Sequence, residues 1–243
     1  MCPKGIIEEV MPFAITNRDE CDFCQICVKE CCTNAKKLVG DDYTVEELLV
    51  EILKDKSFYD SSGGGVTFSG GEPLMQGDFL IDILKACKEK GVHTAIETTG
   101  FADLSVVEKV IDYLDLIYLD LKHMDDEKHK SLTGVSNQVI LDNLAAISKK
   151  HANIIVRIPV IPGLNDQVDN IRKTVEYAAG LSIKKIEMLP YHNLGEVKYG
   201  QLGREYSLSE IKTPSEEEMN RLADEARQTV GSRDTVIEIV NSI

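Results

Sequence analysis

From about residue 44 onward the chain alternates short β-branched runs with amphipathic helical stretches, and this alternation limits the possible folds more than any other feature. GVTFS (65–69), VHTAIE (92–97), LIYLDL (116–121), NIIVRIPVI (153–161), IKKIEMLPY (183–191) and TVIEIV (235–240) read as strands. A capping box at Thr44-Val45-Glu46-Glu47 opens a helix to about residue 56. Phe79, Leu80, Ile83, Leu84 and Cys87 fall at helical spacing, with Gly91 as the stop. Further helices are predicted near 104–113, 136–149 and 166–179, and Thr213-Pro214-Ser215-Glu216 opens a late one with proline at its first position. Strands that alternate with helices in this way build parallel βαβ units. Right-handed crossovers then allow a doubly wound sheet or a full or partial barrel, and periodicity does not choose between them.

The polar residues favour the barrel. Glu72, Glu97, Asp120, Lys122, Arg157 and His192 lie within or just past the C-terminal ends of successive predicted strands. In a parallel barrel those ends converge on the face that carries the active site. Each residue alone is an ordinary surface loop position, but together they form a pattern. Asp120 and Lys122 are two apart at a strand end and so share a face.

Six of the seven cysteines lie within the first 32 residues. Cys21, Cys24 and Cys27 follow C-x2-C-x2-C spacing, and Cys31 comes after three more residues, a run that holds cubane clusters in bacterial ferredoxins. The last cysteine of such a run ligates the other cluster of a two-cluster module. A [4Fe–4S] cluster on Cys21, Cys24 and Cys27 therefore needs an earlier Cys-Pro, and Cys2-Pro3 fits. Cys31 would serve a cluster whose other ligands precede Cys2. Cys32, adjacent to Cys31, leaves the fourth ligand open. Zinc is the alternative, but zinc sites usually add a distant second pair or histidines. The expected division is a partial ferredoxin-like iron–sulfur module over 1–38 and a barrel over 39–243. Cys87 stands apart on an apolar helix face and reads as a core residue.

Composition narrows the partners. A hydrophobic fraction of 43% in 243 residues supports a sizeable core. The formal net charge of −14 repels a phosphate backbone, which argues against nucleic acid. No apolar run reaches the ~18 residues that a membrane helix needs. The N-terminal MCPKGIIEEVM is not a secretory signal, and the expectation is a cytoplasmic protein.

Ser62–Leu74 reads SGGGVTFSGGEPL, matching neither a Walker loop nor a Rossmann fingerprint, yet its glycines flank a strand where backbone can approach a ligand. This segment, KDKSFYDSSGGGVTFSGGEPLMQ (54–76) in full, occurs with IETTG (96–100), DLKHMD (120–125), HKSLTGVSNQVILDNL (129–144), VRIPVIPGLND (156–166) and LPYHNLG (189–195). In this order the chain resembles the radical S-adenosylmethionine (SAM) activases of glycyl radical enzymes, of the pyruvate formate-lyase activating enzyme type. The likeness is greater to the subgroup with a ferredoxin-like insert.

The resemblance implies an α/β fold, a partial TIM-type barrel lacking its first strand, with SAM and [4Fe–4S] cofactors. It implies that the Gly70-Gly71-Glu72-Pro73 turn holds the methionyl amino group through backbone carbonyls. Asp120 would help bind that ammonium, Lys122 would pair with the methionyl carboxylate, and Leu121 lies between them in the motif. His192 would reach the ribose, and Arg157 would line the mouth. A glycyl radical enzyme is the implied partner, with flavodoxin or ferredoxin as electron donor. The ferredoxin-like clusters would be auxiliary.

One departure stands out. The family's C-x3-C-x2-C motif leaves one iron open for SAM, and no trio of cysteines here has that spacing; four residues separate Cys27 from Cys31, but position 34 is Asn34. By resemblance the first barrel strand, the radical-generating cluster and half of the ferredoxin module would precede Met1. The expectation is therefore a fragment that does not cleave SAM by itself. The alternatives are a non-catalytic SAM- or partner-binding remnant, and an unrelated barrel with a zinc knuckle.

Overall fold

The computed structural model describes residues 2–10 and 13–240. The chain divides into two compact units, Met1–Thr44 and Val45–Ile243, where the sequence suggested a boundary after residue 38. The first unit holds an antiparallel hairpin, β1 (Ile7–Val10) and β2 (Phe13–Thr16), in which Ile7 opposes Thr16, followed by one helical turn, α1 (Ile26–Lys29). The sequence reading assigned no strand there. Among its described residues only Ile6 is buried.

The second unit opens with α2 (Val45–Leu53) and α3 (Lys56–Ser62), so the single helix expected from Thr44 to about residue 56 stops early and a second one follows. The core alternation is β3 (Gly65–Phe68), α4 (Gly77–Glu89), β4 (His93–Thr98), α5 (Leu104–Ile111) and β5 (Leu116–Asp120). Two helices come next, α6 (Asp126–Thr133) and α7 (Gln138–Ile147), of which the first had no counterpart in the periodicity. Then follow β6 (Ile154–Val160), α8 (Val168–Gly180), β7 (Lys185–Pro190), the short α9 (Glu196–Gln201), α10 (Glu216–Val230) and β8 (Val236–Ile239).

The strand order is β3-β4-β5-β6-β7-β8, and every neighbouring pair is parallel. That order settles what periodicity left open. A doubly wound sheet reverses its strand order to put helices on both faces, whereas right-handed crossovers in strictly sequential order stack them all on one. The result is part of a TIM-type barrel wall. Burial follows the same division. In β6, Ile154, Val156, Ile158 and Val160 are buried, while Ile155, Arg157 and Pro159 between them are partly exposed. In β5, Ile117 and Leu119 are buried, and Leu116, Tyr118 and Asp120 point the other way.

The longer helices bring an apolar stripe to the covered face. Leu80, Ile83, Leu84 and Cys87 of α4 are buried, as are Met219, Leu222, Ala223, Ala226 and Val230 of α10. Each fully buried Leu or Ile contributes about 1.5–3 kcal/mol. Cys87 is a core residue as expected, and burial pushes its thiol up to about 11. Gly91 ends α4 as predicted, with Val92 N–H donating to the Cys87 carbonyl and Gly91 N–H to that of Lys88. Gly65 is required by contact, since a Cβ there would lie 1.9 Å from the His93 carbonyl oxygen.

The start of α10 corrects one expectation. Pro214 is not its first residue. Ser215 is the N-cap, in a capping box with Glu218: Ser215 Oγ accepts from Glu218 N–H, and the Glu218 carboxylate accepts from Ser215 N–H. Pro214 sits one position outside the helix, and the reciprocal Ser–Glu pair fixes the boundary.

Candidate functional site

The C-terminal ends of β3, β4 and β5 surround a cavity of about 210 Å³. Glu72, Thr99, Asp120, Lys122, His129 and Thr133 supply its polar lining, and Met75, Phe101, Val135 and Ile140 its apolar one. The volume is below the roughly 300–1,000 Å³ of a drug-sized pocket, and suits an amino-acid-sized end group.

The Gly70–Pro73 turn is anchored by its own glutamate. Glu72 Oε1 accepts from Leu74 N–H (3.2 Å) and Thr98 Oγ1 (2.6 Å), and Oε2 accepts from Thr99 N–H (2.8 Å) and Thr99 Oγ1 (2.6 Å). The carboxylate is thus occupied within the fold and ties the end of β3 to the end of β4. What the turn can offer a ligand is its backbone. Gly70 has φ +139°, a conformation that L side chains rarely adopt, and a Cβ there or at Gly71 would meet no atom within 4 Å. Among the described residues no intramolecular hydrogen bond reaches the carbonyl of Gly70 or Gly71.

Asp120 and Lys122 line the same cavity. Burial holds the Asp120 carboxyl above its usual range; the charges of Lys122 and Arg157 offset only part of that rise, and Glu97 and Glu72 add to it. Leu121, between them, is 4% exposed and packs in the core, so only its backbone is free for a local role; its N–H donates to the Arg157 carbonyl (2.9 Å).

Arg157 and His192 lie elsewhere. Arg157 stands opposite Asp120 in the β5–β6 register, but its guanidinium is held sideways. Nη1 donates to Glu97 Oε1 (2.6 Å), Nε donates to Glu187 Oε2 (3.1 Å), and the group stacks on the Tyr118 ring at 3.7 Å. Burial pushes the Glu97 carboxyl up, but hydrogen bonds from Arg157 and Ser69 outweigh it and hold it below its usual range. With Lys185 bridging Glu187 and Glu238, these pairs run across the uncovered face from β4 to β8. His192 is exposed just past β7 and accepts from Leu194 N–H through Nδ1 (3.3 Å). Neither residue lines the 210 Å³ cavity.

The sequence reading missed Thr98 and Thr99, which hold Glu72, and Tyr118 beneath Arg157. It also missed Asn137, Asn165 and Asn170, all buried, which bind the backbone after β5. The signal for Asn137 and Asn165 lay in TGVSN and PGLND, polar residues in loops whose carbonyl partners no linear pattern reveals, and Asn170 sits in the first turn of α8.

In the N-terminal unit the cysteines are partly or fully exposed and unpaired. Two thiols are shifted toward thiolate. The backbone N–H of Lys36 and then the Thr33 hydroxyl lower Cys31 to about 7, and the N–H groups of Ile6 and Lys4 lower Cys2. Among the described residues no three His, Cys, Asp or Glu side chains converge as a metal site.

Residues 13–178 match the family model described as the radical SAM superfamily. The chain belongs to that superfamily. It is 42% identical over 192 residues to the trans-4-hydroxy-L-proline dehydratase activating enzyme of Clostridioides difficile, covering 78% of this chain and 64% of that one. It is 41% identical over 208 residues to the 4-hydroxyphenylacetate decarboxylase activating enzyme of Clostridium scatologenes, covering 84% and 66%. The radical SAM chain thus spans just under two thirds of these relatives' length. A solved domain of the pyruvate-formate lyase-activating enzyme from Bacteroides vulgatus is 34% identical with a TM-score of 0.59, over 72% of this chain and 99% of that domain.

Members of the superfamily use SAM and a [4Fe–4S] cluster. The donor chemistry here fits the amino-acid end of SAM: Asp120 and Lys122 line one small cavity with Glu72, whose turn carries glycine carbonyls that accept no hydrogen bond among the described residues. It does not supply the cluster that binds SAM, because no three cysteines of this sequence have C-x3-C-x2-C spacing. No helix among the described residues is long and apolar enough to cross a membrane.

Proposed function

We propose that this chain is the SAM-holding part of an activating enzyme for a glycyl radical enzyme. One observation carries the reading: Asp120 and Lys122, two residues apart at the end of β5, line the same cavity as the Glu72-anchored turn. In this reading the Gly70 and Gly71 carbonyls and Asp120 take the methionyl ammonium. Lys122 takes the carboxylate, and the backbone at Leu121 completes the wall. Arg157 steadies the sheet face through Glu97 and Glu187, and His192, exposed just past β7, is the proposed ribose contact. When bound, SAM with a reduced [4Fe–4S] cluster would supply the hydrogen-atom abstraction from a partner's glycine. This chain's own residues orient the amino-acid end of SAM.

In the first unit, read as a partial ferredoxin-like module over 1–38, Cys2, Cys21, Cys24, Cys27 and Cys31 are the proposed cluster ligands, with barrel residues over 39–243. The proposed setting is the cytoplasm, with flavodoxin or ferredoxin as electron donor. A second reading, a non-catalytic SAM-binding remnant, is favoured by the absent cysteine trio.

Calorimetry with SAM tests the site. Binding that weakens about tenfold in Lys122→Met and in Asp120→Asn supports it; unchanged affinity in both removes it. The chain alone, reconstituted and reduced without oxygen, is expected to release no 5′-deoxyadenosine, and release above background would overturn the fragment reading.

A further inference from the structure

The β5 ladder ends at Leu121, whose N–H donates to the Arg157 carbonyl. Beyond it, the backbone of residues 122–124 is held by side chains. Asn165 Nδ2 donates to the carbonyls of Lys122 (2.9 Å) and Pro159 (2.6 Å), while its Oδ1 accepts from Ile161 N–H (2.7 Å). Asn137 Nδ2 donates to the carbonyls of His123 and Met124, both at 3.0 Å. Asn170 Oδ1 accepts from Met124 N–H (2.9 Å), and its Nδ2 donates to the Asn165 carbonyl (2.9 Å). The three asparagines are 2–4% exposed and come from three places: the start of α7, the loop after β6 and the first turn of α8.

Buried amides are costly unless fully bonded, and the backbone groups of residues 122–124 would themselves be left unpaired under an apolar covering. These amides instead fix one backbone path directly behind a cavity-lining cation. Lysine is long and rotamer-rich, so its ammonium is directed only as well as its backbone is fixed. Asp120 has the strand ladder to hold it, and Lys122 does not.

We infer that Asn165, Asn137 and Asn170 are positioning residues that fix the backbone of Lys122 so that its ammonium faces the carboxylate of an amino-acid ligand beside Asp120. The inference rests on the proposed SAM reading and extends it to residues that touch no ligand.

The test compares two nucleosides that differ at the amino-acid end: S-adenosylhomocysteine, which carries it, and 5′-methylthioadenosine, which does not. Binding of both to the full chain is measured by calorimetry, with a thermal melt for each variant. Lys122→Met is expected to lose about tenfold in affinity for S-adenosylhomocysteine and to bind methylthioadenosine within about twofold of the parent. Asn165→Ala and Asn137→Ala are expected to show the same selective loss at about three- to tenfold. Asn170→Ala, which removes both the acceptor for Met124 N–H and the donor to the Asn165 carbonyl, is expected to show the same selective loss. A merely structural role would weaken both nucleosides equally, and that result overturns the inference. If any one asparagine variant fails to fold, the other two still decide. If Lys122→Met shows no selective loss, the SAM reading fails first. If Lys122→Met is selective and the asparagine variants are not, the inference alone fails.

Discussion

The two units of this chain are built on different physical terms. In Val45–Ile243, six parallel strands bury one face under helices, and residues such as Ile83, Leu119, Val156 and Met188 are fully enclosed. In Met1–Thr44, a short hairpin and one helical turn bury only Ile6 among the described residues, and Ile15, Phe23 and Val39 are more than half exposed. A segment of that size cannot bury enough apolar surface to order itself, and short cysteine-rich segments are usually fixed by metals or disulfides. Hydrophobic area holds the second unit, whereas the first has almost none among its described residues.

Side-chain truncation gives the largest contrast. Leu119→Ala, at a fully buried position, is expected to cost about 2–5 kcal/mol in denaturant unfolding, and Ile15→Ala, 55% exposed, within about 0.5 kcal/mol. Comparable losses at the two positions would break the comparison. Next comes the carboxylate that joins two strand ends. Glu72→Ala leaves Thr98 Oγ1 and both Thr99 donors without their acceptor and is expected to cost about 2 kcal/mol. Thr99→Val, which removes one of those bonds, should cost less.

A smaller effect sharpens the view of the first unit. Reconstitution with iron and sulfide under argon is expected to slow tryptic cleavage at Arg18, Lys29 and Lys36 about tenfold, with cutting in the second unit unchanged. Equal rates with and without iron would remove metal as its organiser. The smallest effect is a titration on the uncovered sheet face. Glu97 has a folded value below 4.5, so it contributes stability that is present above pH 4.5 and is lost as pH falls through the folded value. Because Glu97 is partly exposed, the contribution is about 0.5 kcal/mol. Glu97→Gln is expected to flatten that acid limb in urea titrations from pH 5 to 3.

Much of the second unit was readable along the chain. Strands with alternating burial, such as 154–160, carry their period in the sequence, and α4 shows its stripe and its glycine stop. Helix α6 was not readable, because DEKHKSLT has only one buried residue, His129. Its order comes from Asp125, which caps Lys128 N–H, and from Asp126, which binds Ser136 Oγ and Asn137 N–H. The proposed site was legible in part: Asp120 and Lys122 do meet at one cavity, whereas Leu121 turns into the core, Arg157 into ion pairs, and His192 stays outside on the surface.

The sequence by itself determined the alternation of strands and helices, the polar residues at strand ends, and the family to which the chain belongs. These follow from local periodicity and from motifs contiguous in the chain. Only the tertiary structure decided that the sheet is singly wound, that Glu72 is spent on two threonines, and that three asparagines hold the backbone of residues 122–124. Strand order and buried amide partners are relations between residues tens of positions apart, and no local pattern records which distant carbonyl a side chain meets.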